Sequence, residues 1–181
     1  MSPSHYDPQR HHRHSIRLPG YDYSRAGAYF VTICTHEKEC LFGKITDGDM
    51  DLNEFGKIVW KFWQQIPARY ENVDIPVAVV MPNHFHGIIL FHETAGGGKV
   101  TTEQLNDPAF RRRMLLPKIM GYFKMNCAKE INELRNSSGI PVWQKNYYEH
   151  IIRDEMDYER KYNYIKNNPL KWLEDEEYSQ Q

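Results

Sequence analysis

What the chain lacks narrows its class before any motif is considered. Its three cysteines, Cys34, Cys40 and Cys127, are odd in number and form no C-x-x-C pair. Neither a disulfide framework nor a cysteine-based metal knuckle is expected, and reduced thiols in a cytoplasmic protein are the simple reading. No apolar run approaches the roughly 18–20 residues that span a bilayer, so no membrane association is expected. The opening MSPSHYDPQRHHRHS is basic but lacks the apolar stretch of a secretory signal. Charge of one sign is missing too: 23 Lys and Arg stand against 24 Asp and Glu, a net of −1. No global field therefore pulls the protein toward nucleic acid. The glycines at 96–98 are not followed by Lys-Ser/Thr, which argues against a phosphate-cradling P-loop.

With 181 residues, 40% of them apolar and 13% aromatic, the chain suits one globular domain with an ample core. Residues 1–19 mix His, Arg, Pro and Ser and read as a flexible basic arm. Residues 20–173 form the folded domain, and 174–181 read as an acidic tail. Positive charge gathers locally, in Arg10, Arg13 and Arg17, in Arg111, Arg112 and Arg113 with Lys118 and Lys124, and from Arg160 to Lys171. Such clusters are either solvated faces or a phosphate-binding stripe.

Ala28–Thr35, dense in aromatic and β-branched residues, predicts a buried strand. Cys40–Ile45 is expected to extend it as a hairpin partner, with a turn over Thr46–Asp51. Apolar residues from Phe55 to Ile66 recur at helical spacing, which predicts a helix from about Asn53 to Tyr70 with Asn53 as its cap. Ile75–Met81 and His84–Phe91 flank Pro82-Asn83 as an antiparallel hairpin. Glu93–Arg113, with its glycine run, reads as a mobile loop, and Leu115–Leu134 as a helix. A strand at Tyr148–Arg153 and a helix at Glu155–Asn167, stopped by Pro169, complete the chain. The order β-α-β-β-α-β is the α+β, ferredoxin-like (RRM-like) antiparallel arrangement, here with an added C-terminal helix.

His84-Phe85-His86 carries the first chemical signal. Residues two apart on a strand project from one face, so both imidazoles point the same way and can share a cation. Two imidazoles buried without partners would be costly. The last helix supplies a complement through Tyr158, Tyr162 and Tyr164. Tyr164 and Asn168 are four apart and share a helical face. A phenol can act as a nucleophile and an amide oxygen as a metal ligand, although tyrosines on an amphipathic helix equally pack a core. Trp143, Tyr147 and Tyr148 read as core before base-stacking surface. Glu149 and His150 face opposite ways on a strand, and His11, His12 and His14 suit only adventitious metal binding.

MPNHFHGI, VWQKNYYEHIIR and YNYIKNNP, together with the earlier LPGYDYSRAGAYFVTICTHEKECLF, resemble the REP-associated tyrosine transposases, of the HUH single-strand insertion-sequence transposase superfamily. The likeness covers roughly residues 17–172 and keeps the family's order of motifs. It implies a divalent metal, Mg2+ or Mn2+, on His84 and His86, with Asn168 as third ligand. It also implies Tyr164, rather than Tyr158 or Tyr162, as the nucleophile. The implied partner is single-stranded or hairpin DNA, cleaved to a phosphotyrosine link and a free 3′ hydroxyl, by a monomer or a homodimer. Arg10, Arg13, Arg17, Arg111, Arg112, Arg113, Lys118 and Lys124 are then candidate backbone contacts, with exposed aromatics for stacking. The alternatives are a catalytically silent nucleic-acid-binding module of RRM-like fold and a metal-dependent hydrolase that uses water.

Overall fold

A computed structural model describes Leu18 and residues 20–93 and 100–175. Most of the arm, including Arg10, Arg13 and Arg17, lies outside the described residues, as do the glycine run and the tail beyond Asp175. The elements are β1 (Gly27–Cys34), β2 (Gly43–Thr46), β3 (Asp49–Leu52), α1 (Glu54–Gln64), α2 (Ile66–Arg69), β4 (Val73–Val80), β5 (His84–Phe91), α3 (Thr102–Asn106), α4 (Pro108–Arg113), α5 (Leu115–Leu134), β6 (Tyr148–Ile152) and α6 (Glu155–Asn167), followed by a 3-10 segment, Pro169–Glu174.

Four strands form one sheet in the order β4-β5-β1-β6, and every pairing is antiparallel. Strands β1 and β4 are therefore parallel to each other with β5 inserted between them, a split β-α-β crossover. The α+β class and the antiparallel sheet read from the sequence are what the structure shows. Strand alternation divides the core in two. Tyr29, Val31 and Ile33 of β1 and Phe85 and Ile89 of β5 join Trp63 and Phe123, from α1 and α5, in the larger cluster. Phe30 and Ile88 project to the opposite face and meet Ile165 of α6. The sheet is thus covered on both sides, with α6 packed over β4 and β5.

Local differences from the sequence reading have identifiable causes. Residues 40–45 do not pair with β1, because β5 and β6 occupy both of its edges. Instead β2 and β3 form a separate two-stranded sheet. The turn contracts to Asp47-Gly48, with φ of 53° and 85°, the left-handed pair that a tight two-residue hairpin requires. A Cβ on Gly48 would sit 2.7 Å from Leu170 Cδ2, so this hairpin backs directly onto the 3-10 segment. The helix expected over 53–70 breaks at Gln65, because Pro67 in the first turn of α2 cannot donate to the preceding turn. Asn53 caps α1 as expected, accepting from Gly56 N at 3.0 Å. Residues 100–113, read as loop, form α3 and α4; Thr101 and Gln104 make a reciprocal capping box, and Asp107 caps the second helix. Among the described residues, no helix is long and apolar enough to cross a membrane.

Gly87 separates His86 from Ile88 and lets the Trp63 ring lie against β5, where an added Cβ would come within 2.5 Å of Cζ2. Trp63 is fully buried and packs on Phe85 at 4.6 Å between centroids. Gly87→Ala should therefore destabilise the fold by about 1–3 kcal/mol through overpacking. Thermal unfolding should show a midpoint lower by several degrees, and an unchanged midpoint would contradict this packing.

Candidate metal centre and nucleophile

The site begins at the β4–β5 connection, where a buried loop delivers His84. Thr35 donates its backbone N–H and its hydroxyl to Asn83 O, at 2.8 and 2.9 Å, which fixes the residue before the first histidine. The Asn83 side chain is also buried. Its Nδ2 donates to Lys38 O at 3.3 Å and its Oδ1 lies 2.8 Å from His84 Nδ1. An amide oxygen can only accept, so His84 Nδ1 carries the proton and Nε2 presents its lone pair. His86 also has a partner: Nδ1 lies 2.7 Å from Thr32 Oγ1, a hydroxyl that can donate or accept, on the strand directly paired with it. Partners of this kind set the tautomer and ring angle of metal-binding histidines.

Both imidazoles are buried, with centroids 4.5 Å apart. Burial drives the His86 pKa well below its ordinary value, and the neighbouring His84 and Lys161 add to the effect. A neutral imidazole is the form that coordinates metal. Phe30 stacks on His86 at 5.3 Å, and Trp172 of the 3-10 segment lies 5.9 Å from His84.

Helix α6 brings the second half. Its three tyrosines take different surroundings: Tyr158 and Tyr162 pack on the apolar cluster beneath the helix, whereas Tyr164 is 40% exposed. Tyr164 places its hydroxyl 3.4 Å from His86 Nε2. Asn168, one turn on, is buried. Its Nδ2 donates to Asp175 Oδ2 at 2.6 Å, and this orients the amide so that Oδ1 faces away from the carboxylate. That oxygen is buried and accepts no hydrogen bond among the described residues. A buried acceptor left this way is costly in an apolar setting and suits a cation.

Asp175 is the residue that sequence reasoning missed, having placed it in an acidic tail. The 3-10 segment folds back over the site and buries its side chain. Oδ2 accepts from both the Tyr164 hydroxyl, at 2.9 Å, and Asn168, while Oδ1 lies 3.9 Å from His84 Nε2. His84, His86 and Asp175 each offer a ligand atom within 4.8 Å of the others. The only signal available earlier was an acid seven residues past Asn168, and a proline-initiated turn between them hid its proximity. Two imidazole nitrogens, an amide oxygen and a carboxylate form a mixed N/O donor set suited to a divalent cation.

The base of α6 is tied to the sheet by a second carboxylate. Asp157 accepts from His150 Nε2 at 2.6 Å and from Arg160 at 2.8 Å. His150 thus pairs with the helix, not with Glu149. The basic set on α4 and α5 lies elsewhere. Arg111, Arg112, Arg113, Lys118 and Lys124 stand on helices that cover the face of the sheet opposite α6. Lys124 Nζ is directed at the carbonyls of residues 144–146. It shares a groove of about 540 Å3 with Arg112, Trp143 and Tyr147, and none of the histidine or tyrosine site residues line that groove. Trp143 and Tyr147 are core residues, as expected, but Tyr148 is 49% exposed.

No protein-family model matches the chain. It is 42% identical over 182 residues to an uncharacterized protein of Haemophilus influenzae, covering 96% of this chain and 97% of that one. It is 29% identical over 150 residues to a putative REP-associated tyrosine transposase of the same organism, covering 83% of this chain and 74% of that one. Among solved structures, a REP-associated tyrosine transposase bound to a REP hairpin aligns with a TM-score of 0.49 and 22% identity, over 81% of this chain and 68% of the other. A transposase-like protein of Deinococcus radiodurans aligns at 0.46 and 13%, over 83% and 97%.

The two hydrogen bonds to Asp157 hold its carboxyl down at about 2, below the ordinary 3.8. Because the folded value is the lower one, this stabilisation is complete above about pH 4 and is lost as pH falls toward 2. Asp157→Asn should cost about 1–2 kcal/mol at neutral pH, discounted because Arg160 is largely in water. Acid-unfolding curves of variant and wild type should converge near pH 2. Parallel curves across that range would refute the assignment.

Proposed function

We propose that this chain, which resembles the REP-associated tyrosine transposases, is a metal-dependent endonuclease and strand-transferase acting on single-stranded, hairpin-flanked DNA. The observation that carries this reading is the convergence of Tyr164, Asn168 and Asp175 on His84 and His86, with Tyr164 Oη 3.4 Å from His86 Nε2. His84, His86, Asn168 and Asp175 would hold a divalent ion, Mg2+ or Mn2+. When bound, it supplies Lewis-acid polarisation of the phosphate under attack.

The chain's own residues account for the remaining chemistry. A free phenol, with a pKa near 10, is weakly nucleophilic at neutral pH, and Asp175 Oδ2 already accepts the hydrogen bond of the Tyr164 hydroxyl. Transfer of that proton to Asp175 leaves Tyr164 Oη to attack phosphorus. A tyrosine O–P bond forms, the bond from phosphorus to the 3′ oxygen breaks, and that oxygen takes up a proton as the free hydroxyl. The reverse attack by another 3′ hydroxyl rejoins the strand without a nucleotide cofactor. Partial exposure of Tyr164 suits a large substrate, and burial of His86 favours its neutral form. Arg111, Arg112, Arg113 and Lys118 would meet a duplex stem on the far side of the sheet. The silent RRM-like alternative fits less well, since α1 and α5 cover one sheet face and α6 lies over much of the other.

Incubation of wild type with labelled hairpin-flanked single strands and Mn2+ should give a protein–DNA adduct that survives denaturation, and chelation should abolish it. Tyr164→Phe should form no adduct while binding DNA within a few-fold of wild type. An adduct from that variant would reject Tyr164 as the nucleophile. Mn2+ should raise the thermal midpoint of wild type by the stabilisation expected for a ligand of the native state. In His84→Ala and Asn168→Ala that increment should shrink or vanish, and a full increment in both would reject the ligand set.

A further inference from the structure

Tyr164 stands between two clefts of about 360 Å3 each. One is walled by Phe30, Tyr148 and Lys161, and the other by Asn163, Asn167 and Lys171. Each volume falls within the roughly 300–1,000 Å3 of small-ligand sites, room for about one nucleotide unit. Arg160 also lines the second cleft but is paired with Asp157, whereas Lys161 and Lys171 are uncommitted in a specific sense. Neither Lys161 nor Lys171 has a carboxylate partner among the described residues. Lys161 Nζ instead lies 4.7 Å from the Phe30 ring, the ring that stacks on His86 and meets the Tyr164 edge at 6.0 Å. The half-exposed Tyr148 ring borders the same cleft, an aromatic platform beside a cation, the pairing that single-strand binding uses.

Resting on the endonuclease reading above, we propose that the substrate strand crosses Tyr164 from one cleft to the other. Lys161 and Tyr148 hold the phosphate and base on one flank of the scissile bond, and Lys171 holds the phosphate on the other. Glu174 and Asp175 also border both clefts. Asp175 is engaged by Tyr164 and Asn168 and would face a divalent ion in the site, and Lys161, Lys171 and Arg160 outnumber the remaining acid, Glu174, along the two clefts. The path also places the reacting strand on the α6 side of the sheet, away from the arginines of α4. Cleavage at Tyr164 then leaves one product end in each cleft, positioned for rejoining.

The test measures binding of a fluorescein-labelled oligothymidylate of about 20 nucleotides across a range of KCl, with Mn2+ present. Lys161→Gln and Lys171→Gln should each weaken binding and lower the slope of log K against log salt by about 0.7, the loss of one phosphate contact to a single strand. Lys161→Arg should restore the slope. Tyr148→Ala should weaken binding roughly tenfold with the slope unchanged, as for a lost stacking contact. Thermal midpoints and the Mn2+ increment should match wild type in all four, which separates these effects from misfolding or loss of metal. If wild type forms the adduct but both glutamine variants keep its affinity and slope, the strand path is wrong and the endonuclease reading stands. If wild type neither binds single strands nor forms an adduct, both are wrong.

Discussion

Strand β5 is buried on both faces, and a strand so placed cannot slip by one residue without turning every side chain to the wrong side. Phe85 and Ile89 are locked into the cluster built by α1 and α5, and Trp63 presses on Gly87 between them. With one set of side chains fixed, the other set has no choice of direction. His84 and His86 must face α6, and their register against Cys34 and Thr32 puts the Thr32 hydroxyl where it holds the second imidazole. The packing of an apolar core on one side of a sheet thus determines the aim of two polar rings on the other.

A site built this way lacks its remaining donors until the C-terminal elements arrive. Helix α6 rests on Phe30 and Ile88 through Ile165 and is tied to β6 through Asp157 and His150. Those contacts set its rotation, and rotation is what separates Tyr164 from Tyr158 and Tyr162. The 3-10 segment after Pro169 then returns Asp175 to the centre, supported from behind by the β2–β3 hairpin at Gly48. Asp175 links the two halves, because one carboxylate oxygen holds both the phenol and the Asn168 amide. A single buried acid orients a phenol and an amide together, and its charge favours a cation between it and the imidazoles.

The sequence was informative where periodicity and local chemistry act alone. The extents of α5 and α6, the Asn53 cap, the hairpin around Pro82-Asn83 and the common face of His84 and His86 all follow from spacing. The misreadings have two causes, competition from elsewhere in the chain and local composition that masked a turn or cap signal. The 40–45 segment looked like a partner for β1, but β1 had two other partners. Asp47-Gly48 carried a two-residue hairpin signal that the acidity around it obscured. Thr101 and Asp107 carried cap signals that the neighbouring glycines outweighed.

By itself the sequence determined the donor types: two imidazoles on one strand face, and a phenol and an amide one helical turn apart. It could do so because alternation in a strand and the turn of a helix are local geometry, set by backbone stereochemistry. It did not determine that these faces meet, which tyrosine turns toward the histidines, or that an acid eleven residues past that tyrosine completes the group. Those outcomes depend on how α6 seats on the sheet and how the chain bends at Pro169. Both are settled by packing between residues remote in sequence, so only the tertiary structure decided them.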